Sequence, residues 1–306
     1  MRLISWNIQW GRGGDGVVDL RRTADVLYRL DPDVICLQEV ATNHPGLPGN
    51  AGMDQVALLR GLFLGFDAAY HAPSDIPDGL GGRRCFGNLL LSRRPLGVVR
   101  RHALPQPPDG TVPAMPRGAL EAVIDAPWGP LRVLTTHLEF YSLRQRRAQL
   151  AALRDIVAAG DALAAEPPAA GEADPPFAVY PAGDGAILCG DFNCPPEAAE
   201  MRALLHGPDA ADAAAPTGGA AAVPPASTPA RPPLVDAWRI ATPDREQPAT
   251  AGFAASPYFP APVCLDRAYL SQNLAFRLRA AGVEAGADAL AASDHLPLVL
   301  DFSDTP

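Results

Sequence analysis

The residues of this chain with the most chemical potential are acids, amides and imidazoles placed at the ends of apolar runs. Asn7 follows Leu3-Ile4, Glu39 follows Val34-Ile35-Cys36-Leu37, His137 follows Val133-Leu134, and Asp191, with Asn193 two residues on, follows Ile187-Leu188. Asp266 lies between Val263 and Tyr269-Leu270, and Asp294-His295 precede Leu298-Val299-Leu300. A strand must end in something polar, so one such placement means little. Six of them in one chain point to several strand ends converging on a cleft. Glu39, Asp191 and Asp294 are hard oxygen ligands, suited to Mg2+ or Mn2+. Zinc would favour more imidazole or thiolate, and the histidines lack the helical His-Glu-x-x-His spacing of a zinc protease.

The elements that must position these groups are legible as periodic runs. Residues 2–8 open the chain as a strand. Residues 19–30 carry Leu20, Ala24, Leu27 and Leu30 at helical spacing. Residues 33–37 form a short apolar run suited to a buried strand, and Val56, Leu59 and Phe63 mark a second helix. Residues 74–84, rich in Gly, Asp and Pro, read as a surface loop. Several strand-like runs follow between 86 and 140, and residues 142–157 are helical in pattern. Residues 158–185 and 207–233 are dense in Ala, Pro and Gly and read as surface insertions. Residues 186–196, 263–270 and 297–302 complete the strands. The expected organisation is one domain over residues 1–306.

Composition narrows the class. The chain has 306 residues, 48% of them hydrophobic, and a formal net charge of −9. A globally basic nucleic-acid footprint is absent, which argues against coating DNA or RNA by charge alone. It leaves room for an enzyme whose metal and local arginines handle phosphate. The five cysteines form no disulfide or zinc framework. The first residues are too few and too polar for a signal peptide, and no apolar run is long enough to span a bilayer. A cytoplasmic setting without membrane insertion is therefore expected, and no protein partner can be inferred.

The segments Ser5-Trp6-Asn7, Leu37-Gln38-Glu39, Thr136-His137-Leu138-Glu139, Gly190-Asp191-Phe192-Asn193 and Ser293-Asp294-His295 together resemble the endonuclease/exonuclease/phosphatase, or DNase I-like, superfamily. Gly87-Asn88 and Pro116-Arg117-Gly118 add weaker support. The resemblance spans Asn7 to His295 with its motifs in order. It implies an α/β fold, a four-layer sandwich of two packed mixed β-sheets flanked by helices. It also implies a divalent-metal-dependent phosphoesterase using Mg2+ or Mn2+. By this similarity Glu39 is the main metal ligand, with Asn7 beside it and Asp294 as a further ligand or a supporting acid. Asp191 orients or deprotonates the attacking water, and Asn193 holds Asp191 and donates to the phosphoryl oxygen. His295 contacts the phosphate with Asp266 fixing its ring, and His137 is a second imidazole donor. Taken singly, each residue has an ordinary structural reading, such as a strand cap, an Asx turn or a surface pair. Their joint occurrence in superfamily order does not.

Two departures bear on the substrate, a phosphate ester that could be DNA. Gln9 stands where abasic-site endonucleases carry an acid. Arg267 follows Asp266 where many nucleases place an aromatic or aliphatic residue. The segment 136–139, with Arg146 and Gln149 after it, is similar to the tyrosyl-DNA phosphodiesterase and bacterial endonuclease-like branches. A nuclease or DNA phosphodiesterase is the leading expectation. A phosphatase or phosphodiesterase acting on inositol phosphates, phospholipid head groups or other small esters is the alternative, and a silent binding protein of the same fold comes third. Asn88, Arg117, Arg83 and Arg84 are the candidate substrate-binding residues, the last two as a basic pair at the cleft rim.

Overall fold

Apolar residues alternate in direction along each strand, so a run buried on both faces reads as continuously hydrophobic. Leu3, Val34 and Cys36 point to one side, and Ile4, Trp6, Ile35 and Leu37 to the other. The computed structural model describes residues 1–169, 177–205, 234–253 and 259–305. In it the first side is the contact between two sheets. There Leu3, Cys36, Leu90 and Leu298 meet Leu120, Val133, Ile187 and Leu270. The second side is covered by helices.

The first sheet has the order β11 (Leu278–Val283), β12 (Leu298–Phe302), β1 (Arg2–Asn7), β2 (Val34–Thr42), β4 (Arg83–Ser92), β3 (Asp67–Pro77). The second has the order β5 (Leu96–Ala103), β6 (Gly118–Ala126), β7 (Gly129–His137), β8 (Ala186–Asp191), β10 (Asp266–Leu270), β9 (Val235–Asp236). Both repeat one pattern. A central parallel pair, β1 with β2 or β7 with β8, is flanked on either side by antiparallel strands. Helices α1 (Leu20–Leu30), α2 (Gln55–Leu62) and α6 (Ala287–Ala292) close the outer face of the first sheet through Leu27, Leu59 and Ala289. Helices α3 (Leu143–Ala165) and α4 (Met201–Leu205) close the second through Leu150, Leu153 and Met201. The result is the helix–sheet–sheet–helix sandwich expected from the sequence; α5 (Ala237–Ala241) packs at the edge with β11 and β10.

Two expectations need correction. Residues 74–84 are not a loop: β3 and β4 pair as far as Pro77↔Arg83, and the turn is confined to residues 78–82. Asp78 holds that turn by accepting from the Leu80 and Gly82 N–H groups. The Gly, Asp and Pro content marked the hairpin tip and masked the strands leading to it. Helix α3 also runs to Ala165, well past residue 157. The alanines of this stretch favour helix, and Asp161 on it pairs with the fully buried Arg132 of β7. Gly160 lies where a Cβ would collide with that guanidinium, which lets the helix pass close over the sheet. The rest of the first Ala/Pro-rich stretch lies partly, and residues 207–233 wholly, outside the described residues. Among the described residues no helix is long and apolar enough to cross a membrane.

Candidate active site

The parallel pairs explain why the polar strand ends meet. Parallel neighbours finish at the same edge, so Asn7 is in register with Gln38 just before Glu39, and His137 is in register with Asp191. The antiparallel β10 starts at that edge, with Asp266 opposite Asp191. Asp294 and His295 enter β12 from the same side. The two sheets therefore present Asn7, Glu39, Asp294 and His295 from one layer, and His137, Asp191 and Asp266 from the other.

Local backbone conformation aims these groups. Pairing of β2 with β4 shifts register between Leu37 and Val40, and Glu39 sits in that bulge with φ 61°. Gln9 (φ 44°), Trp10 (φ 46°) and Asn193 (φ 50°) share the left-handed region. Four of the six non-glycine residues with positive φ among the described residues thus border this cleft. Such conformations cost on the order of 1–3 kcal/mol each and concentrate where side chains must be held for a task. Gly190, before Asp191, is required for another reason. Its φ is 143°, and a Cβ would lie 2.0 Å from the Thr136 carbonyl oxygen.

Asn7 is the clamp of the site. Its Nδ2 donates to Glu39 Oε1 and to Asp191 Oδ2, both at 3.0 Å, while its Oδ1 accepts the Gln9 N–H at 3.0 Å. Asn7 therefore spaces the two acids with its N–H groups, and its oxygen keeps a second lone pair beyond the one that accepts the Gln9 N–H. The other oxygen of Asp191 accepts the Asn193 main-chain N–H at 2.9 Å. The Asn193 side chain donates to Leu138 O at 2.8 Å, so the backbone, not the amide, does the holding. Across the cleft His295 Nδ1 lies 2.8 Å from Asp266 Oδ2, which turns Nε2 toward Asp191 Oδ2 at 3.8 Å. His137 Nε2 lies 3.5 Å from the same Asp191 oxygen, and its Nδ1 lies 3.9 Å from Glu39 Oε1.

These surroundings separate the protonation states. Burial drives Glu39 up to about 7, helped by the charge of Asp294 and opposed by the Asn7 hydrogen bond. Burial raises Asp191 too, but the neighbouring imidazoles, of which His295 is the one that carries charge, and the Asn7 and Asn193 donors outweigh it and hold it below the ordinary carboxylate range. Burial and the Arg117 charge push His137 down to about 3, leaving a neutral ring. Burial alone would lower His295, yet Asp266 and Asp191 raise it well above the usual imidazole value. Burial also raises Asp294. The chain thus pairs a buried, ionised acid with a charged imidazolium, a combination suited to water attack on an anionic ester.

A model of the endonuclease/exonuclease/phosphatase family matches residues 4–295. The chain belongs to this family. Its members hydrolyse phosphate esters, commonly with divalent metals. Among solved structures, an endonuclease/exonuclease/phosphatase from Beutenbergia cavernae is 24% identical (TM-score 0.64), over 98% of this chain and 70% of that one. Truncated Caenorhabditis elegans TDP2 is 19% identical (TM-score 0.56), covering 99% and 97%. A mannosyl-6-phosphatase from Bacteroides thetaiotaomicron is 14% identical (TM-score 0.60), covering 99% of both. At these identities the likeness is one of fold. No relative matches among curated sequences.

Within this family member, the structure gathers all eight core candidates and divides the other four. Arg117 lines the cleft beside Glu39 and His137. It is buried, paired with Glu139 at 3.5 Å, and has one guanidinium nitrogen without a partner. Asn88 donates to Gly118 O at 3.1 Å beneath it. Arg83 and Arg84 are absent from the cleft lining. Arg83 pairs with Asp75, and Arg84 donates to Asp78 O, so both serve their own hairpin. Arg267 also points away from the cleft, to Asp236 and the Tyr269 ring, because neighbours on a strand face opposite sides. Three residues of consequence carried no sequence signal for their role. Gln9 donates to Asp294 at 2.7 Å, Thr250 Oγ1 accepts the Asp266 N–H, and Ser293 Oγ donates to Asn7 O. Gln9 stood out only as a missing acid, and Thr250 lies outside any periodic run.

Proposed function

We propose that this protein is a divalent-metal-dependent phosphodiesterase that directs water at phosphorus, with a nucleic-acid diester as its substrate. The observation that carries the reading is the Asp266–His295 pair facing an ionised Asp191 that Asn7 ties to Glu39. Asp191 accepts a proton from, or orients, the attacking water. The His295 imidazolium donates through Nε2 to a phosphoryl oxygen, where charge-directed donors contribute most as negative charge builds. Neutral His137 supplies one N–H, and Arg117 its unpartnered guanidinium nitrogen. No covalent enzyme intermediate is needed.

The donor set fits a hard cation. Glu39 and Asp294 are partly buried carboxylates whose acidity burial lowers, and the Asp294 charge raises Glu39 further, a cost that a bound cation would relieve. The tightest group of ligand-type atoms is instead Asp191, Asp266 and His295, all within 4.8 Å. There, however, the hydrogen bond from His295 Nδ1 to Asp266 already accounts for two of the three, so Glu39 and Asp294 are the residues that would hold the ion. Such an ion supplies charge neutralisation of the phosphoryl oxygens.

The single arginine that the described residues place in the lining and the charge of −9 favour a second reading, a phosphatase for a small phosphate ester. A panel of single-stranded, nicked, abasic and 5′-tyrosyl DNA plus inositol phosphates, assayed with Mg2+, Mn2+ or EDTA, separates the two. Cleavage of DNA substrates only when metal is added is expected. Turnover undiminished in EDTA would remove the metal, and turnover of inositol phosphates alone would select the second reading.

Proton release gives an independent check. With Glu39 at about 7, the metal-free carboxyl is protonated below that value and must lose its proton to accept an ion. Metal affinity therefore rises with pH through about 7. Calorimetric titration in buffers of different ionisation enthalpy is expected to show roughly one proton released per ion near pH 6, and little above about pH 8. Glu39→Gln removes this release. A pH-independent proton count would place the ion elsewhere.

A further inference from the structure

The cleft holds about 370 Å³, and its lining includes the rings of Trp10, Phe86, Phe140, Tyr141 and Phe259 beside the imidazoles of His44, His137 and His295. The rings form two groups. Phe140, Tyr141 and Phe259 adjoin His295, with centroids 4.8 Å (Phe140–Tyr141), 5.9 Å (Phe140–Phe259) and 6.3 Å (Phe259–His295) apart. Trp10, His44 and Phe86 stand beside Glu39, with Phe86 at 6.3 Å from Trp10 and 6.5 Å from His44. We propose that the Trp10–His44–Phe86 wall is a stacking subsite for an unpaired base of the substrate, next to the scissile phosphate.

Three observations support it. Trp10 is a bulky residue in the left-handed region, held there by its own ring N–H to Pro48 O (3.0 Å) and by Gln55 Nε2 to its carbonyl (2.7 Å). With its only polar atom already bonded, the indole has just its faces to offer a ligand. Second, the wall lines the same cleft as Asp191 and His295, so a ring seated on it belongs to the molecule undergoing reaction. Third, charge cannot supply the grip. Duplex binding relies on arrays of Lys and Arg against phosphates, whereas among the described residues Arg117 is the only such residue in the lining. Stacking on aromatic rings contributes about 1–3 kcal/mol per base and needs an unstacked, single-stranded partner. The volume suits a nucleotide-sized fragment, not a double helix.

This inference rests on the phosphodiesterase reading, and its test separates the two. The probes are thymidine 5′-(p-nitrophenyl phosphate) and methyl p-nitrophenyl phosphate, which share a leaving group and differ in the base. Trp10→Ala is expected to raise KM for the thymidine ester roughly 5- to 150-fold. It should leave kcat within about twofold and the methyl ester unaffected, and Trp10→Phe should restore most of the loss. Binding of thymidylyl-thymidine in EDTA, followed by calorimetry, should weaken by the same factor in Trp10→Ala. Equal effects on both esters, or none on either, overturn the subsite while leaving the chemistry intact. Binding that depends on Trp10 without hydrolysis of any diester overturns the chemistry and keeps the subsite. Failure of the wild type to bind the dinucleotide overturns the subsite outright.

Discussion

Asp191→Asn is expected to lower kcat by about 10²- to 10⁴-fold, the range for removing a positioned general base, with the folded structure retained. The argument is geometric. Asp191 is buried at the end of β8, and one of its oxygens faces Asn7, His137 and His295 together. An amide keeps the size of the side chain and its bond from the Asn193 N–H, but it loses the negative charge. It also sets its own N–H against the Asn7 N–H. The cost to stability is that of one impaired buried contact, about 1–3 kcal/mol. Single-turnover rates at saturating metal, alongside urea unfolding, separate the two effects. A variant within tenfold of wild-type kcat would show that Asp191 does not handle the water.

His295→Gln is the second large effect, with an expected loss of about 10²- to 10³-fold in kcat, as for deletion of one directed donor to a developing oxyanion. Two further measurements identify it as loss of an imidazolium rather than of packing. In the proposed mechanism wild-type activity needs His295 charged, and Asp266 with Asp191 raises its pKa. Activity is thus present below that raised value and declines as pH rises through it, and the variant should lack this alkaline limb. Asp266→Asn keeps the ring but removes the charge that raises it, so its alkaline limb should move toward the ordinary imidazole value near 6.5. Because the two residues act through one hydrogen bond, the double variant should lose little more than His295→Gln alone. Additive losses would mean that they act separately.

The sequence carried the chemistry of the site better than its mounting. Asn7, Glu39, His137, Asp191, Asp266 and His295 were legible because so many polar groups of matching chemistry stand at or beside the ends of buried runs in one chain, in superfamily order. The sandwich was legible because runs such as Val34-Ile35-Cys36-Leu37 demand burial on both faces. What escaped notice depends on contacts remote in the chain. Arg83 and Arg84 resembled a basic rim until the β3–β4 hairpin brought Asp75 and the Asp78 carbonyl to them. Arg267 stood out only as a departure from the nuclease pattern beside Asp266, and strand alternation sends it away from the cleft and toward Asp236. The contacts by which Thr250 and Gln9 hold Asp266 and Asp294 join residues 16 and 285 positions apart. The aromatic walls draw on segments as separate as residues 10, 86 and 259, which no local pattern links.

The two six-stranded layers each end in half of the machinery, and the bonds that assemble the site run from layer to layer. Asn7 reaches Asp191, His295 reaches Asp266, and Gln38 reaches Thr135 at 2.8 Å. The cleft is therefore a seam, stitched in part by the contacts to which the proposed chemistry is assigned. Neither layer retains a working fragment if the other melts, and an ångström of slippage along the seam misaligns acid, clamp and imidazole at once. Turnover in this protein is a gauge of whether its two halves are in register.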